Sequence, residues 1–196
     1  MIAFKYTKTD GAEYLSHLDL LRHVYRTLRR AGIEVAMSGG YHAHARIFLN
    51  NPLAVGVSSV AEYAAVDCVL NGDFKELFNA YSPSGVKCLD WREVAKNPNY
   101  ANGITRCLYE ADGIAEFNPD EILNAESLVI KDLKGREIDV RPRIYAVEWV
   151  DGRLQMVLGS GNANLRPDLF CSYLCSVYGG KAQKIIKLAS YGEGVF

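Results

Sequence analysis

All four histidines of the 196-residue chain lie between Leu15 and Gly56, in LSHLDLLRHVYRTLRRAGIEVAMSGGYHAHARIFLNNPLAVG. Arg22, Arg26, Arg29 and Arg30 recur there at helical spacing, with 22/26 and 26/30 one turn apart. Guanidiniums in a row can meet successive phosphates in fork geometry, the main electrostatic term in RNA or DNA binding. The plainer reading is a solvated helix face with Asp19 pairing Arg22 or His23. Between Tyr14 and Arg46, five arginines stand against Asp19 and Glu34, a local charge of +3 in a chain of formal net charge −1. Charge focused in this way attracts phosphate without the whole protein being basic.

His17 stands just inside the expected helix start, and His42 and His44 alternate on the approach to Arg46. If the helix start and the loop met, His17 and His44 could act as base and acid in RNA cleavage through the 2′-hydroxyl, which needs no metal. A histidine behind a serine cap more often fixes a loop through hydrogen bonds. A zinc site from His17, His42 and His44 would lack a nearby carboxylate or cysteine apart from Asp19, so no metal is expected.

Farther along, GSGNANLRP at 159–167 brings Gly159, Gly161, Asn162, Asn164 and Arg166 to a helix start, where free amides can hold an anion. The alternative is a simple strand-to-helix turn. Arg141 and Arg143 flank Pro142 and add basic surface, unless Asp139 takes Arg141 in an edge ion pair. Five cysteines (Cys68, Cys88, Cys107, Cys171, Cys175) are an odd number with no export signal, so packed reduced thiols are expected. Cys171 and Cys175 lack the third ligand of a CxxxCxxC cluster site, since that position is Tyr178. No Ser-His-Asp order, P-loop or zinc-ribbon spacing occurs, and no cofactor is expected.

The elements that must position these groups follow from periodicity. Residues 2–8 alternate as a strand; 16–31 form a helix with an expected apolar stripe of Leu18, Leu21, Tyr25 and Leu28, begun by a Ser16/Asp19 capping box and stopped at Gly32. Strands at 46–49 and 61–70, a helix at 73–81 and a strand at 86–91 complete a first half over 1–95. The polar run KNPNYANG at 96–103 is the expected linker. The second half, 104–196, repeats the order: strand 104–111, helix 119–124, strand 127–131, strands 144–150 and 154–158 around an Asp151-Gly152 turn, a helix from Pro167 to Tyr178, and strand 182–189. The expected fold is α+β, with two ferredoxin-like βαββαβ halves packed together and mostly antiparallel sheets.

The segments LSHLDLLRHVYRTLRRAG, SGGYHAHARI, NPLAVGVSS, EIDVRP and GSGNANLRPDL resemble the radical SAM-linked protein family, over nearly the whole chain from Phe4 to about Tyr178. The family pattern falls on Ser16, His17, Leu18, Asp19, Arg29, Arg30, Gly32, Ser38, Gly40 and Tyr41. It continues on Arg46, Pro52, Leu53, Gly56, Asp139, Arg141, Pro142, Gly161 and Pro167. The chain departs at His42-Ala43-His44-Ala45, where the family tends to Asn-Pro-x-Pro; loss of two prolines is expected to loosen the loop. The resemblance implies a bacterial domain of unknown function, fused to or encoded beside a radical SAM protein with a cobalamin-binding region, which is the expected partner. It implies no activity.

From charge, the expected function is a non-catalytic partner that binds structured, tRNA-like RNA and presents it for modification. His17, Arg22, Arg26, Arg29, Arg30, Gly40, Tyr41, His44 and Arg46 would form the RNA-binding surface, with Arg141, Asn162 and Arg166 as a second contact and Tyr41 stacking on a base. The alternatives are a metal-independent endoribonuclease using His17 and His44, similar in element order to the RAMP-superfamily CRISPR repeat-processing enzymes, and a pure protein-docking domain with an apolar surface. A composition of 49% hydrophobic and 23% charged residues is that of a globular protein, and no apolar run suits a membrane span or leader. Cytoplasmic localisation is therefore expected.

Overall fold

A computed structural model describes residues 1–196. In chain order it holds β1 (Ile2–Lys8), α1 (His17–Arg30), β2 (Glu34–Val35), β3 (Ile47–Leu49), β4 (Ser58–Val66), β5 (Cys68–Val69), α2 (Phe74–Tyr81) and β6 (Cys88–Glu93). Then follow α3 (Tyr100–Gly103), β7 (Ile104–Ala111), α4 (Asp120–Leu123), β8 (Val129–Lys131), β9 (Glu137–Asp139), β10 (Ile144–Val150), β11 (Arg153–Gly159), α5 (Pro167–Tyr178) and β12 (Ile185–Gly192). The fold is α+β with a mostly antiparallel sheet, and no helix is long and apolar enough to cross a membrane.

One sheet of eight strands runs through the whole chain in the order β10-β11-β7-β12-β4-β1-β6, with β3 also on β4. Two halves packed together are expected, and strands from residues 1–95 and 104–196 lie side by side in this one sheet. The halves meet edge to edge, through a short parallel pairing of Ser58 and Ser59 in β4 with Ile186 and Lys187 in β12. Within the 96–103 segment lies α3, and its Tyr100 is buried against Tyr63.

The sheet forks at β4. Its first residues carry β12, whereas Ala64–Val66 carry β3 along the same edge. Between the two, side chains finish the backbone pairing. Tyr63 N–H donates to Asn50 Oδ1 (3.2 Å), Asn50 N–H donates to the Tyr63 carbonyl (3.0 Å), and Ser190 Oγ donates to the Ala61 carbonyl (2.9 Å). Buried backbone groups must be satisfied, and the fork explains why Asn50 and Ser190 are buried polar residues.

Helix α1 is set by its ends. Ser16 Oγ accepts from Asp19 N–H (3.2 Å), while Gly32 at φ 70° lets Gly32 N–H reach the Arg29 carbonyl and Ile33 N–H the Leu28 carbonyl, a Schellman stop. The stripe it buries is Leu20, Val24, Thr27 and Leu28, packed on Phe4, Tyr6 and Ala64. The expected stripe through Leu18 is thus rotated: Leu18, in the first turn, is 62% exposed. Helix α2, capped by Asp73 accepting from Glu76 N–H (2.8 Å), closes the same core with Phe74 and Phe78.

Candidate functional site

Alternation along β1 sends Ile2, Phe4, Tyr6 and Lys8 inward, and in the antiparallel register Tyr6 stands opposite Glu62 and Lys8 opposite Ser59. Lys187 of β12 stands beside Ser59 from the other half. Glu62 and Lys187 form an ion pair with both side chains 3% exposed, and Asn50 Nδ2 donates to Glu62 Oε2 (3.1 Å). Burial alone would push the Glu62 carboxyl up; the Lys187 charge, with hydrogen bonds from Lys187, Ser59 and Asn50, overrides it and holds it down. Lys8 is 2% exposed and in no ion pair. Burial depresses its ammonium's pKa, opposed by Glu62 and Glu13 and reinforced by Lys187. The Tyr6 hydroxyl is fully buried without a partner.

A cleft of about 520 Å³ lies between the halves. Ser16 and His17 at the start of α1 line it, together with Asn51 to Val55, and with Gly161, Asn164 and Arg166 before α5. Burial keeps the His17 imidazole below its ordinary value, with the charges of Glu62 (raising) and Lys8 (lowering) also acting on it. Arg166 is bidentate on Asp168, through Nε at 3.0 Å and Nη2 at 2.5 Å. No side chain caps α5, whose first position is Pro167. Asn162 is exposed in the turn beside the cleft.

The arginines of α1 divide. Arg22 is paired with Asp19 at 3.0 Å, as the plainer reading had it. Arg26, Arg29 and Arg30 are exposed, line a shallow concavity together, and have no hydrogen bond or ion pair; Arg29 leans over the Tyr25 ring at 5.8 Å. Lying at the last turns, they also complement the helix dipole. His23 behind them is held below its ordinary value by burial, then by Arg30 and Arg26.

Residues 36–46 form a closed hairpin. Ser38 N–H donates to the His44 carbonyl (2.8 Å), His44 N–H to Ser38 Oγ (2.9 Å), and Met37 bridges Ala45. Gly40, at φ 100°, and the fully exposed Tyr41 make its tip, with Tyr41 edge-on to His42. Arg46 is ion-paired with Asp67 at 2.8 Å. His44 lies on this exposed hairpin and His17 in the cleft, with no hydrogen bond between them. The structure therefore does not bring together the base and acid of the nuclease reading.

Arg141 turns inward: Nη1 donates to the Ile144 carbonyl (2.8 Å), Nη2 to the Leu123 carbonyl at the end of α4, and Nε is buried. It locks the fold and leaves no basic surface. Asp139 accepts from the Leu128 and Arg141 backbone N–H groups (2.9 and 3.0 Å), in place of the expected edge ion pair. The turn at 159–167 also spends its amides internally, with Ser160, Ala163, Asn164 and Leu165 N–H all bonded to carbonyls. Cys171 is buried in the core and Cys175 half-buried, and burial pushes the Cys171 thiol up to about 12.

Sequence reasoning missed Lys8, Glu62 and Lys187. Their signal is a charge inside a strand of otherwise inward apolar residues, as in SSVAEYAAV and IIKLASYG.

Residues 2–167 match the family described as an uncharacterized protein conserved in bacteria (DUF2344). The chain belongs to that family. No curated protein matches the sequence. Among solved structures, a chain of a Cbf5-Nop10-Gar1 complex is similar in fold, with a TM-score of 0.52 at 10% identity, over 96% of this chain. The present chain spans 48% of that one, about half its length. The two share the mixed α+β architecture.

Proposed function

We propose that this family member is a non-catalytic, RNA-binding partner of a radical SAM enzyme. The observation that carries the RNA half is the triplet Arg26, Arg29 and Arg30: three exposed guanidiniums on neighbouring turns with no hydrogen bond or ion pair. Solvated faces ordinarily pair such cations, as Arg22 is paired here. The exposed Tyr41 on a closed hairpin adds a ring for a splayed base. The enzyme partner rests on the resemblance to the radical SAM-linked family. The strand order in each half, β6-β1-β4-β3 and β12-β7-β11-β10, supports reading the chain as two ferredoxin-like units joined at their edges.

The test is fluorescence anisotropy with labelled tRNA across a salt series. Wild-type affinity is expected to fall steeply with salt. In Arg26→Ala/Arg30→Ala, binding should weaken and the slope of log affinity against log salt should flatten by about 1 to 2 units, as expected when one or two phosphates are no longer neutralised. Equal binding by the double variant removes this face from the site. Co-migration of the chain with its bacterium's cobalamin-type radical SAM protein on size exclusion tests the second half, and separate elution counts against it.

A further inference from the structure

The sheet of the second half is covered on one side only. In β7, Ile104, Cys107, Tyr109 and Ala111 are buried, whereas Arg106, Leu108 and Glu110 between them are exposed or half-buried. Its neighbour β11 alternates in the same way, with Leu154, Met156 and Leu158 buried and Arg153, Gln155 and Val157 left open. The covered side is the one α1 packs on: Lys187 stands opposite Tyr109 and reaches Glu62, which stands opposite Tyr6 under α1. The open side therefore lies across the sheet from α1 and its arginines. An antiparallel sheet can turn one face to water, and such a face is ordinarily polar.

This one carries planar groups in a row. Tyr191 of β12 stands opposite Arg106 of β7 in the antiparallel register, and the Arg106 guanidinium lies over the Tyr145 ring of β10, 3.9 Å from its centroid. The strand between, β11, puts Gly159 opposite Arg106, so no side chain at that position separates the guanidinium from the ring. Tyr145 and Tyr191 are 41% and 44% exposed, and Arg106 is exposed and in no ion pair. Arg153 takes Glu110 at 2.9 Å, and Glu148, opposite Gln155, is the other carboxylate on this side of the four strands. Charge is thus balanced across the face, and stacking must supply the affinity for anything that lies on it. At about 4.8 Å per strand, the row spans about 14 Å from β12 to β10. We infer that it is a stacking platform for single-stranded nucleic acid, taking two or three splayed bases on Tyr191, Arg106 and Tyr145. Bases stack on tyrosine rings and guanidinium planes alike, and every base has a π-face. The inference deepens the RNA-binding reading by naming single strands as a ligand, and it uses none of the residues of the arginine face.

Fluorescence anisotropy of the full chain tests it, with labelled oligo(U) and oligo(A) of about eight nucleotides, a length within the range of single-strand sites. Both are expected to bind about ten-fold or more tightly than a blunt duplex of the same length, with a shallow salt slope of about 0.7, the value for one neutralised phosphate. Tyr145→Leu/Tyr191→Leu, which keeps apolar bulk and loses the rings, should weaken binding about ten-fold or more, whereas Tyr145→Phe/Tyr191→Phe and Arg26→Ala/Arg30→Ala leave it unchanged. An unchanged melting temperature shows that the sheet is intact; should the leucine variant melt early, Arg106→Met, with an expected loss of about five-fold, decides. No binding of either single strand, equal binding of the duplex, or undiminished binding by the leucine variant overturns the inference. So does a leucine variant that loses co-migration with the radical SAM protein while neither strand binds the wild type, which would make the face a protein-docking surface. If oligonucleotide binding fails while tRNA binding still responds to Arg26→Ala/Arg30→Ala, only this platform falls. If single strands bind and that variant leaves tRNA binding unchanged, only the arginine face is struck.

Discussion

At the scale of single residues, His17 carries the sharpest contrast between roles. It lines the cleft, makes no hydrogen bond to His44, and burial pushes its imidazole's pKa below the ordinary value. Replacement by Ala is expected to cost about 1 kcal/mol of stability, as for the loss of a helix-start residue, with no RNA cleavage by the wild type to lose. Cleavage of labelled tRNA that vanishes in His17→Ala would reverse this assignment. The imidazoles of His17 and His23 also set a pH dependence. Both titrate below the usual value near 6.5, so the folded state binds fewer protons than the unfolded chain between those values. Their contribution is complete above about pH 6.5 and is lost as pH falls through the folded values. The melting temperature should therefore be flat near pH 7 to 8 and fall below it, with a smaller fall in His17→Gln/His23→Gln. A second decline belongs below about pH 4.3, where the depressed Glu62 carboxyl must protonate.

At the scale of elements, helix α1 shows what periodicity can and cannot deliver. Its limits were legible, because Ser16 and Gly32 act through their own backbone neighbours. Its buried side was not, because leucines at 18, 20, 21 and 28 fit two stripes about equally well. The core beneath decides between them: Leu20, Val24 and Leu28 join one cluster with Phe4, Tyr6 and Ala64 of the sheet, whereas Leu18 in the first turn is left in water. Leu20→Ala should thus cost about 2–5 kcal/mol in denaturant unfolding, and Leu18→Ala less than 1. Equal costs would restore the stripe read from spacing. Gly32→Ala, forced to hold φ 70°, should cost about 1 kcal/mol. The Asp151-Gly152 turn was legible for a similar reason, both residues having positive φ (48° and 73°) between β10 and β11.

At the scale of the whole molecule, the continuous sheet and shared core predict one unfolding event. Ala3, Val57 and Tyr63 from the first half pack in the same core as Phe170 and Leu174 from the second. Calorimetry should give a single transition with equal calorimetric and van't Hoff enthalpies, and two resolved transitions would argue for independent halves. The junction holds a buried ion pair, so Glu62→Gln, which strands Lys187 beside Lys8, should cost about 3–5 kcal/mol, whereas Glu62→Leu/Lys187→Met should cost less than that single change.

What the sequence determined by itself was local: the types and order of the main elements, the caps of α1, the turn at Asp151-Gly152, and the arginines along α1. These depend on backbone preferences and on spacings of a few residues, which are written in the chain directly. Only the tertiary structure decided that β4 and β12 join the halves into one sheet, that Arg141 is spent inside the fold, and that Lys8, Glu62 and Lys187 gather where β1, β4 and β12 meet. Those outcomes depend on which strands pair and in what register. The contact from Ser190 to Ala61 spans 129 residues, and shifting such a pairing by one residue would send Glu62 or Lys187 to the other face of the sheet.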